Sequence, residues 1–402
     1  MRSRPSTFVF VGLTSCLIFP SFGVIQKHFG NSGLVIYLIL APALLWLTYH
    51  FAADRLLGSI SERQSLYLAA ITLLALVVTF AVLYPKANTH LPGRGSDADD
   101  ALNLAASELL SGRYPFYVET YLHNPIGIFP GAVFLALPFV LLGNSSPQNL
   151  FWLAAFFFAV SGSVSSWRLG LLLLWTVLLF SPVVTQQLVT GTDDVANSIY
   201  VLLFMLLLAR WVARPDAAAW KKLLAAFLLG IGLSSRGNFV LVLPQLFAEL
   251  TRRATWSVAA KYVAIACAAF AAVTFPFWLY DPAGFSPFNT QTHKVAVWQT
   301  VLPYSGFVIP ALGGLIALAL AVKSLRQRSV TWLRDCAIVQ AVLVLSVVTL
   351  SIIQRRTFSL VLMSYGVFFL FFGVYACWSR MFGNGGRDAK VPECSIGLMM
   401  DS

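Results

Sequence analysis

Apolar runs of about 20 residues recur from one end of this chain to the other, and no other feature constrains its fold as strongly. At 1.5 Å per residue, a helix of that length crosses a hydrocarbon core of roughly 30 Å. Lipid offers the backbone no hydrogen bonds, which leaves helices or closed barrels. The runs lack the alternation of barrel strands. The expected fold is an all-α polytopic membrane protein with about 10–13 transmembrane or re-entrant helices. Only 11% of the 402 residues are charged, less than half the roughly 25% of a soluble domain.

Spans are expected at 8–26, 33–52, 66–85, 126–142, 150–187, 195–212, 257–279, 301–322, 335–353 and 358–378. Two shorter helices are expected near 222–233 and 237–250. The net charge of +11 would suggest nucleic acid in a soluble protein. Here 18 of the 27 basic residues, from Arg2 and Arg4 through Arg210, Arg214, Arg252, Arg253 and Arg380 to Lys390, fall on alternate connections. That is the positive-inside pattern, so these loops are assigned to the cytoplasm and no nucleic-acid partner is expected. The pattern holds if 150–187 makes one net crossing with a break near Ser165–Arg168. The five cysteines show no metal spacing, and most lie in apolar runs.

One long polar segment, residues 86–125, interrupts the pattern on the outer side. It holds Asp97, Asp99, Asp100, Glu108 and Glu119, five of the sixteen acidic residues. Residues 97–111 read as an amphipathic helix with Ala101, Leu102, Ala105, Leu109 and Leu110 on one stripe. Gly112 ends it. Three carboxylates in four residues invite a catalytic role. Capping competes with that reading, because Ser96 with Asp99 fits a capping box and acidic groups suit a helix N-terminus.

Further polar residues fall on the same side. Asp193 and Asp194 follow Thr190-Gly191-Thr192 and serve equally as an N-cap. Arg236 sits in the break Ser234–Asn238 of an apolar hairpin, and an ionisable residue at such a break is a functional candidate. Arg355 and Arg356 are cations on the disfavoured side, explained by an anionic partner or by interfacial anchoring. Arg113 and His123 belong to the long outer segment, and His123 beside Asn124-Pro125 reads first as a turn residue. His293 and Lys294 lie in a second outer loop. Carboxylates and guanidinium groups on one face suit a reaction on a lipid-linked anionic substrate. Cations would hold a phosphate and a carboxylate would take a hydroxyl proton.

The order of these features resembles the GT-C superfamily of multispanning glycosyltransferases that use polyprenyl-phosphate sugars, especially the family 39 and family 87 types. The stretch DADDALNLAASELLSGRYPFYVETYLHNP carries the acidic residues, the leucine- and Gly-ended helix, the aromatic-Pro region and the Pro-opened span in the family's order. Ser181-Pro182, Thr190–Asp194, Gly230-Ile231-Gly232, Arg236 and Arg356-Thr357-Phe358 follow in the places of later family motifs, with Arg236 standing where the family has Lys.

The resemblance implies inverting transfer of a mannose-like or other hexose or pentose sugar. The donor would be a polyprenyl-phosphate sugar, and the acceptor an extracytoplasmic lipid, glycan or protein. Asp99 would be the base, with Asp97 and Asp100 as alternatives, and Arg236 with Arg355 or Arg356 would hold the phosphate. No cofactor is required, and a divalent metal is optional. It also implies a module at 66–380 with two added N-terminal helices at 1–65 and a bacterial inner membrane location. The tail at 381–402, Gly-rich and polar from Asn384, is expected to be cytoplasmic and disordered. The competing readings are a transporter or flippase of an amphiphilic solute, suited by the broken helix at Ser234–Asn238, and a non-catalytic partner of a polysaccharide assembly complex.

Overall fold

Helices and turns make up almost all of the computed structural model, which describes residues 6–52, 55, 58–89, 97–289, 298–327 and 331–382. Among these residues there is no strand, and seven helices are long and apolar enough to cross a membrane. The chain is an all-α polytopic membrane protein.

The first of these seven, Thr7–Phe51, is folded back on itself. Helix α1 (Thr7–Ile18) runs through a 3-10 turn (Phe19–Ser21) into α2 (Phe22–Leu47), which breaks at Gly30 with φ 67° and ψ −169°. Glycine alone takes up that backbone conformation cheaply. Phe10 packs on Tyr49 at 5.8 Å between ring centroids, and Phe22 on Tyr37 at 6.5 Å. Both pairs are symmetric about the break at Gly30. The expected spans 8–26 and 33–52 are therefore the antiparallel arms of one hairpin.

Helix α3 (Glu62–Ala87) starts with a capping box between Ser61 and Gln64. The long polar segment follows, with α4 (Ala98–Leu110) docked by Ala101, Leu102, Ala105 and Ala106 onto α5 (Pro130–Leu141). Next come α6 (Gln148–Val164), α7 (Trp167–Phe180) and α8 (Pro182–Thr190), with a bend of 81° between the last two.

Two expected spans change here. The crossing expected at 126–142 is the short α5, and both its ends lie at one end of the bundle. Gly131 N–H at its start donates to Ser234 O at 2.8 Å, and Asn144 beyond its end donates to the Tyr84 hydroxyl at 2.8 Å. The single net crossing expected at 150–187 is instead an antiparallel pair. Ser166 Oγ and the Trp167 N–H, at the α6–α7 turn, bind Glu62 at 2.9 and 2.6 Å. Asn149 at the other end of α6 donates to Thr192 O at 2.9 Å. One crossing is lost and one gained, so the side on which Arg210 emerges is unchanged. Twelve residues of α5 make about 18 Å of helix, too short for the hydrocarbon core.

Helix α9 (Asp194–Val212) is the axis of the bundle: 72% of its apolar window is buried, against 11% for α3. Helix α10 (Ala219–Leu233) returns alongside it. A 3-10 turn (Gly237–Val242) leads into α11 (Leu243–Arg253), and α12 (Trp256–Tyr280) lies against both. Ser234 Oγ sits 2.8 Å from Thr274 Oγ1, about 9 Å short of the α12 end at Tyr280 at 1.5 Å per residue. The break carrying Arg236 is thus recessed. Helices α13 (Ser305–Gln327), α14 (Trp332–Arg355), a 3-10 turn (Val361–Gly366) and α15 (Val367–Phe382) complete the bundle.

The bundle has a basic end, marked by Arg210, Arg252, Arg253, Arg334 and Arg380, and an opposite end that carries the long polar segment. Glu249 is buried at the basic end and accepts from Arg252 and Arg253. The N-terminal hairpin packs on the rest of the bundle. Helix α1 packs on α15, with Cys16 against Gly373, and Gln26 joins the α2 arm to Phe358 O and Leu360 N–H.

Candidate functional site

Three neighbouring carboxylates at the start of α4 point to three different partners. Asp97 holds the N-cap position but makes no capping bond. Its Oδ2 accepts from Thr120 Oγ1 at 2.8 Å and Asn124 Nδ2 at 2.7 Å. Asp99 is 3% exposed and accepts from the Tyr84 hydroxyl at 2.6 Å. Burial pushes the Asp99 carboxyl pKa up, outweighing the Tyr84 hydrogen bond that pulls it down. Asp100 accepts the Tyr121 N–H at 2.9 Å. A helix turns about 100° per residue, so consecutive side chains cannot share one direction. Of the three, Asp97 lines the cavity described next. Asp99, which the resemblance favours, is turned into the packing against α3. The capping partner expected at Ser96 lies outside the described residues.

The cavity holds about 420 Å³ and opens at the end that carries the polar segment. Asp97, Asp194, Arg236, Gln187, Lys27 and His28 supply its chemistry, and Tyr365 lines it near Asp194 and Arg236. Asp193 and Asp194 open α9, and Asp193 holds its N-cap position, but the Asp193 side chain makes no capping bond. Instead Arg236 Nη2 lies 2.6 Å from Asp193 and 3.2 Å from Asp194. Asp193 is fully enclosed and also accepts from Asn197 at 2.9 Å. Two carboxylates share one guanidinium, so this group brings no net positive charge to the cavity. Such buried ions persist only when paired and hydrogen-bonded. Gln187 is 3% exposed, and its Oε1 has no hydrogen-bond partner among the described residues.

Other candidates lie elsewhere. Arg113 closes α4 by pairing with Glu108 at 2.6 Å. His123 has φ 58° and lies 3.7 Å from Glu119, in the turn that returns the polar segment to α5. Arg355 ends α14 and Arg356, with φ 51°, closes it. Both are exposed at the cavity's end of the bundle, but neither lines the cavity. His293 and Lys294 lie outside the described residues. Asp281 stitches the polar segment to α12: it takes the Gly284 and Ala283 N–H groups and the Tyr117 hydroxyl, which together hold its pKa below the usual carboxylate range.

Lys27, His28 and Tyr365 escaped the sequence reading. Lys27-His28 interrupts an apolar run at the end of a span opposite the basic end, the same signal that singled out Arg355-Arg356. Lys27, His28 and Gln186 also line an adjoining cavity of about 560 Å³, with Leu178, Pro182 and Val189 at the α7–α8 bend. No group of three His, Cys, Asp or Glu side chains placed to hold a metal occurs among the described residues. Compared with family models, curated proteins and solved structures, the chain matches none.

Proposed function

We propose that this protein is a membrane glycosyltransferase that moves a sugar from a polyprenyl-phosphate donor to an acceptor hydroxyl. By the positive-inside rule the basic end faces the cytoplasm, which puts the cavity on the extracytoplasmic side. One observation carries the reading. Asp97, from the polar segment, and Asp194 with Arg236, from the centre of the bundle, line one recessed cavity.

In this scheme the acceptor O–H gives its proton to Asp97 and its oxygen attacks the anomeric carbon. The bond from that carbon to the phosphate oxygen breaks, and polyprenyl phosphate leaves with the electron pair. One displacement inverts the anomeric centre. A phosphate leaving group needs no general acid, so the site requires one base and cations near the departing charge. Lys27 and His28, at the mouth shared with the adjoining cavity, suit the phosphate better than the charge-compensated Arg236. Asp194, Arg236 and Gln187 offer acceptors and donors to sugar hydroxyls, and the apolar residues at the α7–α8 bend suit the polyprenyl chain.

The test uses the full chain in lipid nanodiscs with a panel of polyprenyl-phosphate sugars, and mass spectrometry to follow release of polyprenyl phosphate. Release that requires both the wild-type chain and a hydroxyl acceptor is expected. Donor that crosses a proteoliposome bilayer with its sugar still attached would support a flippase instead.

A further inference from the structure

At the basic end, remote from the cavity just described, α1, α14 and α15 enclose a slot of about 500 Å³. Small residues hollow it out: Gly12 and Cys16 on α1, Ala337 and Ala341 on α14, Gly373 and Ala376 on α15. Phe8, Ile338, Leu345 and Phe369 wall it, and Phe8 is 89% exposed, so the slot is open at the side of the bundle. Its polar groups are concentrated at one mouth, where Arg334 and Arg380 join Ser6. Arg334 is shared with Asp335 at 2.9 Å, while Arg380 is exposed and forms no ion pair among the described residues.

The dimensions match one leaflet. From Arg334 to Leu345 on α14 the slot runs about 16 Å at 1.5 Å per residue, and half of the hydrocarbon core is about 15 Å. An apolar channel one leaflet deep, with Arg380 at its mouth and Arg334 beside it already bonded to Asp335, leaves one net positive charge and complements the shape and charge of an anionic phospholipid, not of a soluble anion.

We propose that this slot is a binding site for an anionic phospholipid of the leaflet at the basic end. One acyl chain would lie along Phe8, Ile338 and Phe369, with the phosphate on the Arg380 guanidinium and Arg334 alongside it. Bound there, the lipid would fill the seam between the N-terminal hairpin and α14–α15. Guanidinium groups suit phosphate because they donate two parallel hydrogen bonds.

The full chain is incorporated into nanodiscs of phosphatidylcholine with a small fraction of phosphatidylglycerol, released gently, and examined by native mass spectrometry. One retained phosphatidylglycerol per chain is expected. Arg380→Ala with Arg334→Ala should weaken retention about tenfold or more, the scale of one charge-assisted hydrogen bond. Ala341→Phe, which fills the slot and leaves both arginines in place, should weaken it likewise. Dihexanoyl phosphatidylglycerol should compete poorly, because its chains do not reach down the slot. Equal retention of phosphatidylcholine, or unchanged retention in both variants, would overturn the proposal. So would lipid that binds only after residues 383–402 are removed, or that is lost when the chain dimerises, since protein would then fill the slot.

Discussion

Arg236 donates to Asp193 across 2.6 Å, and Asp193 has no exposed side-chain surface. Asp193 precedes α9 and Arg236 lies in the break after α10, and Asp194 joins them at 3.2 Å. This cluster ties the recessed break after α10 to the start of the central helix α9. It therefore fixes the floor of the cavity whatever chemistry occurs above it.

Removing the cation leaves two enclosed carboxylates uncompensated. Arg236→Ala should destabilise the bundle by about 3–5 kcal/mol, the scale of breaking a buried ion pair. Arg236→Lys should recover part of that loss, because one ammonium cannot reproduce the guanidinium fork. Thermal unfolding in detergent, read by tryptophan fluorescence, checks both.

Asp97 and Asp99 should separate in function. Asp97→Asn keeps a side-chain oxygen for Thr120 and Asn124 but removes the base, so transfer should fall by a factor of about 100 or more with the melting temperature little changed. Asp99→Asn should retain most activity, since Asp99 faces Tyr84 and not the cavity. Donor turnover by the two variants is the measurement, and the reverse ranking would return the base to Asp99.

The same Asp99 predicts a pH dependence of stability. Its folded pKa lies above the ordinary carboxylate value because burial disfavours the charge. Its contribution is then fully present below the unfolded pKa and lost as pH rises through the folded one. Wild type should lose stability relative to Asp99→Asn as pH is raised from acid through that window. Parallel melting curves of the two proteins across the range would remove this account.

At Gly131 a Cβ would meet the Ile231 carbonyl oxygen and the Ser234 backbone. Gly131→Ala must push α5 off the recessed break, at a cost of about 1–3 kcal/mol. Loss of donor turnover should accompany the lowered melting temperature, because the same backbone holds Arg236.

The path of the chain is testable by labelling. Leu142 is 88% exposed just beyond α5. In a background without the native cysteines, Leu142→Cys should react with an impermeant maleimide from the same side as Tyr117→Cys. Ser59→Cys should react from the opposite side. A crossing at 126–142 would put position 142 with position 59.

Much was legible along the chain. Lipid solvation acts on residue type and run length, so the helical membrane fold, the first hairpin, the polar segment and the break at Arg236 all follow from local pattern. The crossings at 126–142 and 150–187 were not legible, because two runs of intermediate length left the parity of the path to the positive-inside rule. Two compensating errors satisfy that rule equally well. Lys27 and His28 carried a signal but no partner, since most of the residues that line their two cavities lie about sixty or more positions away.

Sequence alone thus determined that acidic and cationic groups gather at one end of a helical membrane bundle. Only tertiary structure decided which of Asp97, Asp99 and Asp100 faces the cavity, and that Arg236 is paired with two carboxylates while Lys27 has no ion pair among the described residues. The reason is physical. Hydrophobicity is summed over a run and survives small shifts. The direction of a side chain changes by about 100° with each residue of helix, and its charge balance depends on helices that meet only after the chain has folded.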